Sequence, residues 1–135
     1  MSDEDAKTNT AVARWDGGWR ARVEAGGFEF LVDEPVTVNG GTGTGPQPTD
    51  YFMASIASCY ALALAWAARK QRLVLPDLTV RATGTYDGPS FRHVLLTVTT
   101  TLPRADLEPL LEPARRYCYV SNTIAQSPPI DIEIA

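Results

Sequence analysis

The chain has 135 residues, with 12 Lys and Arg against 16 Asp and Glu, a single histidine and two cysteines, for a formal net charge of −4. That length supports one domain with a core of modest size, and scattered, net acidic charge excludes the clustered basic surface of a nucleic-acid binder. His93 and two widely separated cysteines do not make a zinc-ligand pattern, so neither a metal nor another cofactor is expected.

The first ten residues, MSDEDAKTNT, are acidic and polar and carry no cleavable signal peptide. They are expected to form a disordered tail ahead of a single domain over residues 11–135, in the cytoplasm. Two cysteines in that reducing compartment are not expected to form a permanent structural bridge, which leaves inert or redox-active thiols. From Ala11, AVARWDGGWRARVEAGGFEFLVDEP alternates between apolar and polar residues and is broken at Asp16-Gly17-Gly18 and Gly26-Gly27. Those breaks are turn signals, and the pattern predicts an antiparallel meander of two or three strands. Arg20 and Arg22 fall two residues apart and should share one face of a strand.

The glycine-rich VTVNGGTGTGPQPTD follows. It lacks the Gly-Lys-Ser/Thr ending of a phosphate-binding loop and the Gly-x-Gly-x-x-Gly of a dinucleotide site. It reads as a flexible approach to a helix, stiffened by Pro46 and Pro48 and capped by Thr49 or Asp50. The helix is expected from about Asp50 to Gln71 or Arg72. Tyr51 to Ala68 is an uncharged run near the minimum membrane-spanning length, but it is rich in alanine and contains Ser55 and Ser58. A core helix wrapped by other elements accounts for it better. At 100° per residue Phe52, Ser55, Cys59, Leu62 and Trp66 form one stripe, whereas Asp50, nine residues before Cys59, projects from the opposite side of a straight helix.

Beyond Pro76 the chain alternates again. Leu78 to Tyr86, a turn at Asp87-Gly88-Pro89 and Phe91 to Leu102 predict a β-hairpin, with His93 an unassigned strand residue. Arg104 to Tyr117 predicts a second helix burying Leu107, Leu110, Leu111 and Ala114, in which Pro109 and Pro113 are awkward. Ser121 is placed to cap a last short helix, and the alternating IDIEIA at the end predicts a terminal strand. The expected fold class is α+β, with antiparallel strands wrapped around a long central apolar helix.

Taken in order, RWDGGWR, LVDEP, NGGTGTGPQPTDYFMASIASCYALAL and YCYVSNTIAQ resemble the OsmC/Ohr superfamily of peroxide-reducing proteins, over about Arg14 to Ile134. The most specific parts are the Gly45-Pro46-Gln47-Pro48 segment ending eleven residues before Cys59 and the Cys118-x-Val120-Ser121-Asn122-Thr123 segment. The OsmC-like branch carries Glu two residues after the second proline, where this chain has Asp50. The Ohr branch carries Glu one residue after it, where this chain has Thr49. The chain is therefore closer to the OsmC-like branch, with its acidic partner shortened by a methylene or displaced.

The resemblance implies an intertwined homodimer with central helices packed in the middle and each site at the interface. It implies that Cys59, as a thiolate, cleaves the O–O bond of an organic hydroperoxide and becomes a sulfenic acid. Cys118 then condenses with it to a disulfide, which an external dithiol reduces, lipoyl-type dithiols being among the candidates. An arginine beside Cys59 favours the thiolate, and in the family the acidic residue before the helix holds that arginine. The resemblance points to Arg20 for this role, with Arg22 and Arg14 as alternatives, and to Asp50 as the acid. An apolar pocket from Phe52, Tyr60, Trp19 and Trp66 would favour bulky hydroperoxides. Two other readings stand beside this one: a weakly active or non-catalytic small-molecule binding protein on the same fold, and an acyl or thiol transferase, for which His93 is the only candidate base.

Overall fold

The N-terminal strands turn back on themselves where the sequence places paired glycines. In the computed structural model, which describes residues 6–38 and 40–135, β1 (Ala11–Trp15), β2 (Ala21–Ala25) and β3 (Phe28–Val32) form an antiparallel sheet in the order β1-β2-β3. Gly17, Gly18, Gly26 and Gly27 all have positive φ, a backbone region that side chains with a Cβ avoid. Register places Arg14 opposite Arg22 and Glu24 opposite Glu29. Along β2 the small and apolar Ala21, Val23 and Ala25 are half-buried while Arg22 and Glu24 are exposed, as a one-sided sheet requires. The expected meander is therefore present with three strands. Residues 6–10 of the expected tail have no helix or strand, and residues 1–5 lie outside the described residues.

The chain divides into two compact units, Met1–Tyr51 and Phe52–Ala135. The long helix α1 (Pro48–Lys70) opens two residues earlier than its sequence pattern suggests. Pro48 occupies the first helical position, where its missing N–H costs nothing and its fixed φ suits the helix. Arg69 and Lys70 lie in the last turn, favourably placed for the helix dipole. By length and composition α1 is long and apolar enough to cross a membrane. One side of it, however, is buried in the core of the second unit. Ile56, Tyr60, Ala63, Leu64, Ala67 and Ala68 are inside, and its alanines leave room for close helix packing.

The rest of the second unit supplies the other walls. β4 (Thr79–Asp87) and β5 (Ser90–Thr99) form the expected hairpin about a Gly88-Pro89 turn, and β5 stops at Thr99, short of the expected Leu102. Beyond it, Thr100 and Thr101 donate hydrogen bonds to Asp77, an alternative to a strand ladder that such residues commonly take. Val94, Leu96 and Val98 face inward. Near the turn the register moves from Tyr86–Phe91 to Thr85–His93, so Arg92 is an extra residue in the ladder and both Arg92 and His93 are exposed. Helix α2 (Arg104–Tyr117) runs through Pro109 and Pro113 and buries Leu110 and Ala114. Leu64 and Leu110 are fully buried in a cluster with Ala67, Ala68, Ala114 and Cys118.

Two expectations at the C-terminal end fail. The last helix, α3 (Tyr119–Gln126), is preceded by Cys118, so Ser121 lies inside its first turn rather than capping it. The IDIEIA segment forms no strand, and Ile130, Ile132 and Ile134 are each at least 89% exposed. Alternation specifies which side chains share a face, but a strand also needs a ladder partner, and this segment has none among the described residues.

Candidate functional site

Cys59 lies near the middle of α1, at the margin between its buried and open sides. It is half-buried and packs against the buried cluster of the second unit. The stripe expected to contain it is the more open side of the helix: Phe52 and Trp66 are partly exposed and Leu62 is 72% exposed. Ser55 and Ser58 return their hydroxyl protons to the helix carbonyls of Phe52 and Ala54.

Cys118 sits where α2 ends and α3 begins, fully buried in the same cluster against which Cys59 packs. Its N–H donates to Arg115 O at 3.3 Å, its carbonyl accepts from Asn122 N at 3.0 Å, and its Sγ lies 3.1 Å from Ser121 Oγ. Both thiols are free. Tyr60, also buried, donates its hydroxyl to Leu111 O at 3.2 Å. Burial pushes the Tyr60 phenol above its ordinary range, with the nearby Cys118 sulfur adding to the shift and Arg115 opposing it.

A groove of about 560 Å³ opens on this unit, with Ile56, Tyr60 and Leu111 among its apolar walls and Arg92, His93 and Ser121 among its polar ones. Phe52 stacks on Phe91, another wall residue, at 6.0 Å between ring centroids. Trp66 instead meets the Tyr117 ring edge-on at 4.0 Å, with Lys70 Nζ 4.5 Å from its centroid. Trp19 belongs to the first unit, where it approaches Gly40 so closely that a Cβ there would come within 2.7 Å of its indole nitrogen. Of the four aromatics expected to make one pocket, Tyr60 lines the groove, Phe52 stacks on one of its walls, and Trp66 packs on Tyr117.

The candidate arginines and their acid are in the first unit, and each has local partners. Arg20 Nε lies 3.0 Å from Asp16 Oδ2, Arg22 Nε reaches the same oxygen at 3.5 Å, and Arg14 pairs with Glu24 at 3.2 Å. Both guanidinium groups thus meet one carboxylate oxygen, although Arg20 precedes β2 and only Arg22 lies in the strand. Asp50 accepts from the Gln47 backbone N–H at 2.9 Å, the reach-back half of a capping box. Neither Thr49 nor Asp50 is the cap itself, since the helix starts at Pro48. Among the described residues Asp50 forms no ion pair, and Arg20 is paired with Asp16.

One organising residue was not apparent from the sequence. Asp33, 1% exposed, accepts from the backbone N–H groups of Glu34 at 2.7 Å and Thr44 at 3.0 Å and from the hydroxyls of Thr42 and Thr44. The Thr42 and Thr44 hydroxyls, then the Thr44 N–H, hold its carboxyl far below the ordinary carboxylate range. Gly41 fits against this loop because a Cβ there would lie 2.2 Å from Pro35 O. The available signal was the Thr-Gly-Thr-Gly spacing after a strand-ending aspartate, since short polar side chains compete for such carboxylates.

The family model described as OsmC-like protein matches residues 41–133. No curated protein sequence matches the chain. Among solved structures, an OsmC-like protein from Mycoplasma pneumoniae is similar with a TM-score of 0.75 at 15% identity, over 88% of each chain. An organic hydroperoxide resistance protein OsmC from Legionella pneumophila is 26% identical with a TM-score of 0.69, over 87% of this chain and 89% of its own. The organic hydroperoxide resistance protein OhrB of Bacillus subtilis is also 26% identical, with a TM-score of 0.62 over 87% of this chain and 90% of its own.

Proposed function

Because this chain belongs to the OsmC-like protein family, we propose that it is a thiol-dependent peroxidase that reduces organic hydroperoxides to alcohols. Cys59 attacks the terminal oxygen of the hydroperoxide, the O–O bond breaks, and the alcohol leaves as the sulfur becomes a sulfenic acid. Cys118 condenses with that sulfenic acid, water departs, and an external dithiol returns the resulting disulfide to two thiols. The observation that carries this reading is the pairing of a half-buried thiol with a fully buried one against a single core cluster. The accessible sulfur meets the peroxide and the protected one waits. Two structures named as hydroperoxide resistance proteins, each 26% identical, support the same substrate class.

The remaining parts of the reading come from chain length and the N-terminal sequence as well as from the family. The two units serve as one domain, and the protein acts as a homodimer in the cytoplasm. The open apolar side of α1, with Leu62 72% exposed, supports the dimer, since a face of that kind calls for a cover. Arg20 is the first candidate to favour the Cys59 thiolate, with Asp50 as its acid.

One observation favours the second reading, a weakly active or non-catalytic binding protein. Arg20 is engaged by Asp16, and Asp50 by the Gln47 N–H. The two readings separate in one assay: reduced protein with cumene hydroperoxide and dithiothreitol, followed by peroxide loss. Turnover by the wild-type protein that disappears in Cys59→Ser supports the peroxidase. Equal rates for the two proteins would remove it.

A further inference from the structure

Among the described residues, Ser121 supplies the only side-chain hydrogen bond to the Cys118 sulfur, at 3.1 Å. The cluster around that sulfur is otherwise apolar, with Leu64, Ala68, Leu110 and Ala114 all essentially fully buried. A thiol in such surroundings behaves as a small inert hydrophobe, and its anion is costly there unless a donor faces it. The Arg115 side chain lines the groove, and three other polar groups nearby are committed elsewhere. The Cys118 N–H donates to Arg115 O, Asn122 Nδ2 donates to Arg116 O at 3.0 Å, and the Tyr60 hydroxyl donates to Leu111 O. Ser121 is half-buried and also lines the groove, so its hydroxyl stands between the buried sulfur and an open surface.

We infer that Ser121 is a positioning residue for the resolving step, its hydroxyl holding the Cys118 sulfur and donating to it as the thiol proton leaves. The inference rests on the peroxidase reading. In that step a bond forms between the Cys118 and Cys59 sulfurs and the S–O bond of the Cys59 sulfenic acid breaks. The thiol proton joins the departing hydroxide as water, and no further oxidant or reductant enters. A serine hydroxyl suits both stages, because it accepts from S–H and, after a rotation about its C–O bond, donates to S⁻.

The test compares wild type, Ser121→Ala and Ser121→Thr after one equivalent of cumene hydroperoxide without reductant. Dimedone traps the sulfenic acid, mass spectrometry follows the disulfide, and a thermal melt checks each fold. All three proteins should oxidise Cys59 at the same rate. The sulfenic acid should persist about tenfold longer in S121A, the scale of one hydrogen bond to a charged acceptor, and S121T should restore rapid closure. Equal disulfide rates in wild type and S121A would overturn the inference. So would slow closure in both variants, which would trace the effect to packing rather than to the hydroxyl. A wild-type protein that gives neither sulfenic acid nor disulfide removes the peroxidase reading, and this inference with it.

Discussion

The two ends of α1 are secured by different physics. Its first turn belongs to a polar region in which Asp33 gathers the Thr42 and Thr44 hydroxyls and Asp50 reaches back to Gln47. Its later turns are held by apolar contact, with Leu64, Ala67 and Ala68 in one cluster with Leu110 and Ala114. The first kind of restraint is directional and depends on protonation. The second is non-directional and depends on volume. Cys59 lies between them, on a helix whose entry is fixed by hydrogen bonds and whose body is fixed by packing.

The largest effect should come from the packed end. Leu64→Ala removes a fully buried side chain and should cost about 2–5 kcal/mol, read from urea unfolding. A cost below about 1 kcal/mol would mean that this cluster does not hold the helix. At the polar end, Asp33→Asn should lower the Tm by several degrees at pH 7. The sign of its pH dependence follows from a carboxyl held low in the fold. The wild type carries the full stabilisation above the ordinary carboxylate range and loses it as pH falls through and below that range. Melts of both proteins from pH 7 downward should therefore converge, and a constant gap would contradict the hub.

The polar hub was poorly legible in the sequence and the packed cluster was well legible, for a physical reason. Leu107, Leu110, Leu111 and Ala114 recur at helical spacing, so periodicity alone identified a buried face, and paired glycines identified both turns of the meander. Asp33 joins residues nine and eleven positions away through hydroxyls and backbone amides, a set of contacts with no periodic signature. IDIEIA shows the opposite failure, since it has a strand's pattern without a partner among the described residues. The family was legible because the segments flanking Cys59 and Cys118 are specific, and it is the family that makes these two thiols the candidates. The contact of Ser121 with Cys118 was not, because serine at that position reads equally well as a cap.

Smaller changes refine the comparison. Tyr60→Phe removes the side-chain donor to the Leu111 carbonyl and should cost about 1 kcal/mol, again by urea unfolding. Asp50→Asn weakens the reach-back bond and the favourable charge at the helix start, and should cost about 0.5–1 kcal/mol. If Asp50→Asn lowers peroxide turnover far more than it lowers stability, the carboxylate serves the thiol site as well as the helix.

In the proposed peroxidase, Cys59 and Cys118 act as a redox pair. The most direct measurement is peptide mapping of the reduced protein after one equivalent of cumene hydroperoxide, with free thiols alkylated. A redox pair gives a single intramolecular Cys59–Cys118 disulfide and no alkylated cysteine. Recovery of both cysteines as alkylated thiols, with the peroxide unconsumed, would contradict it.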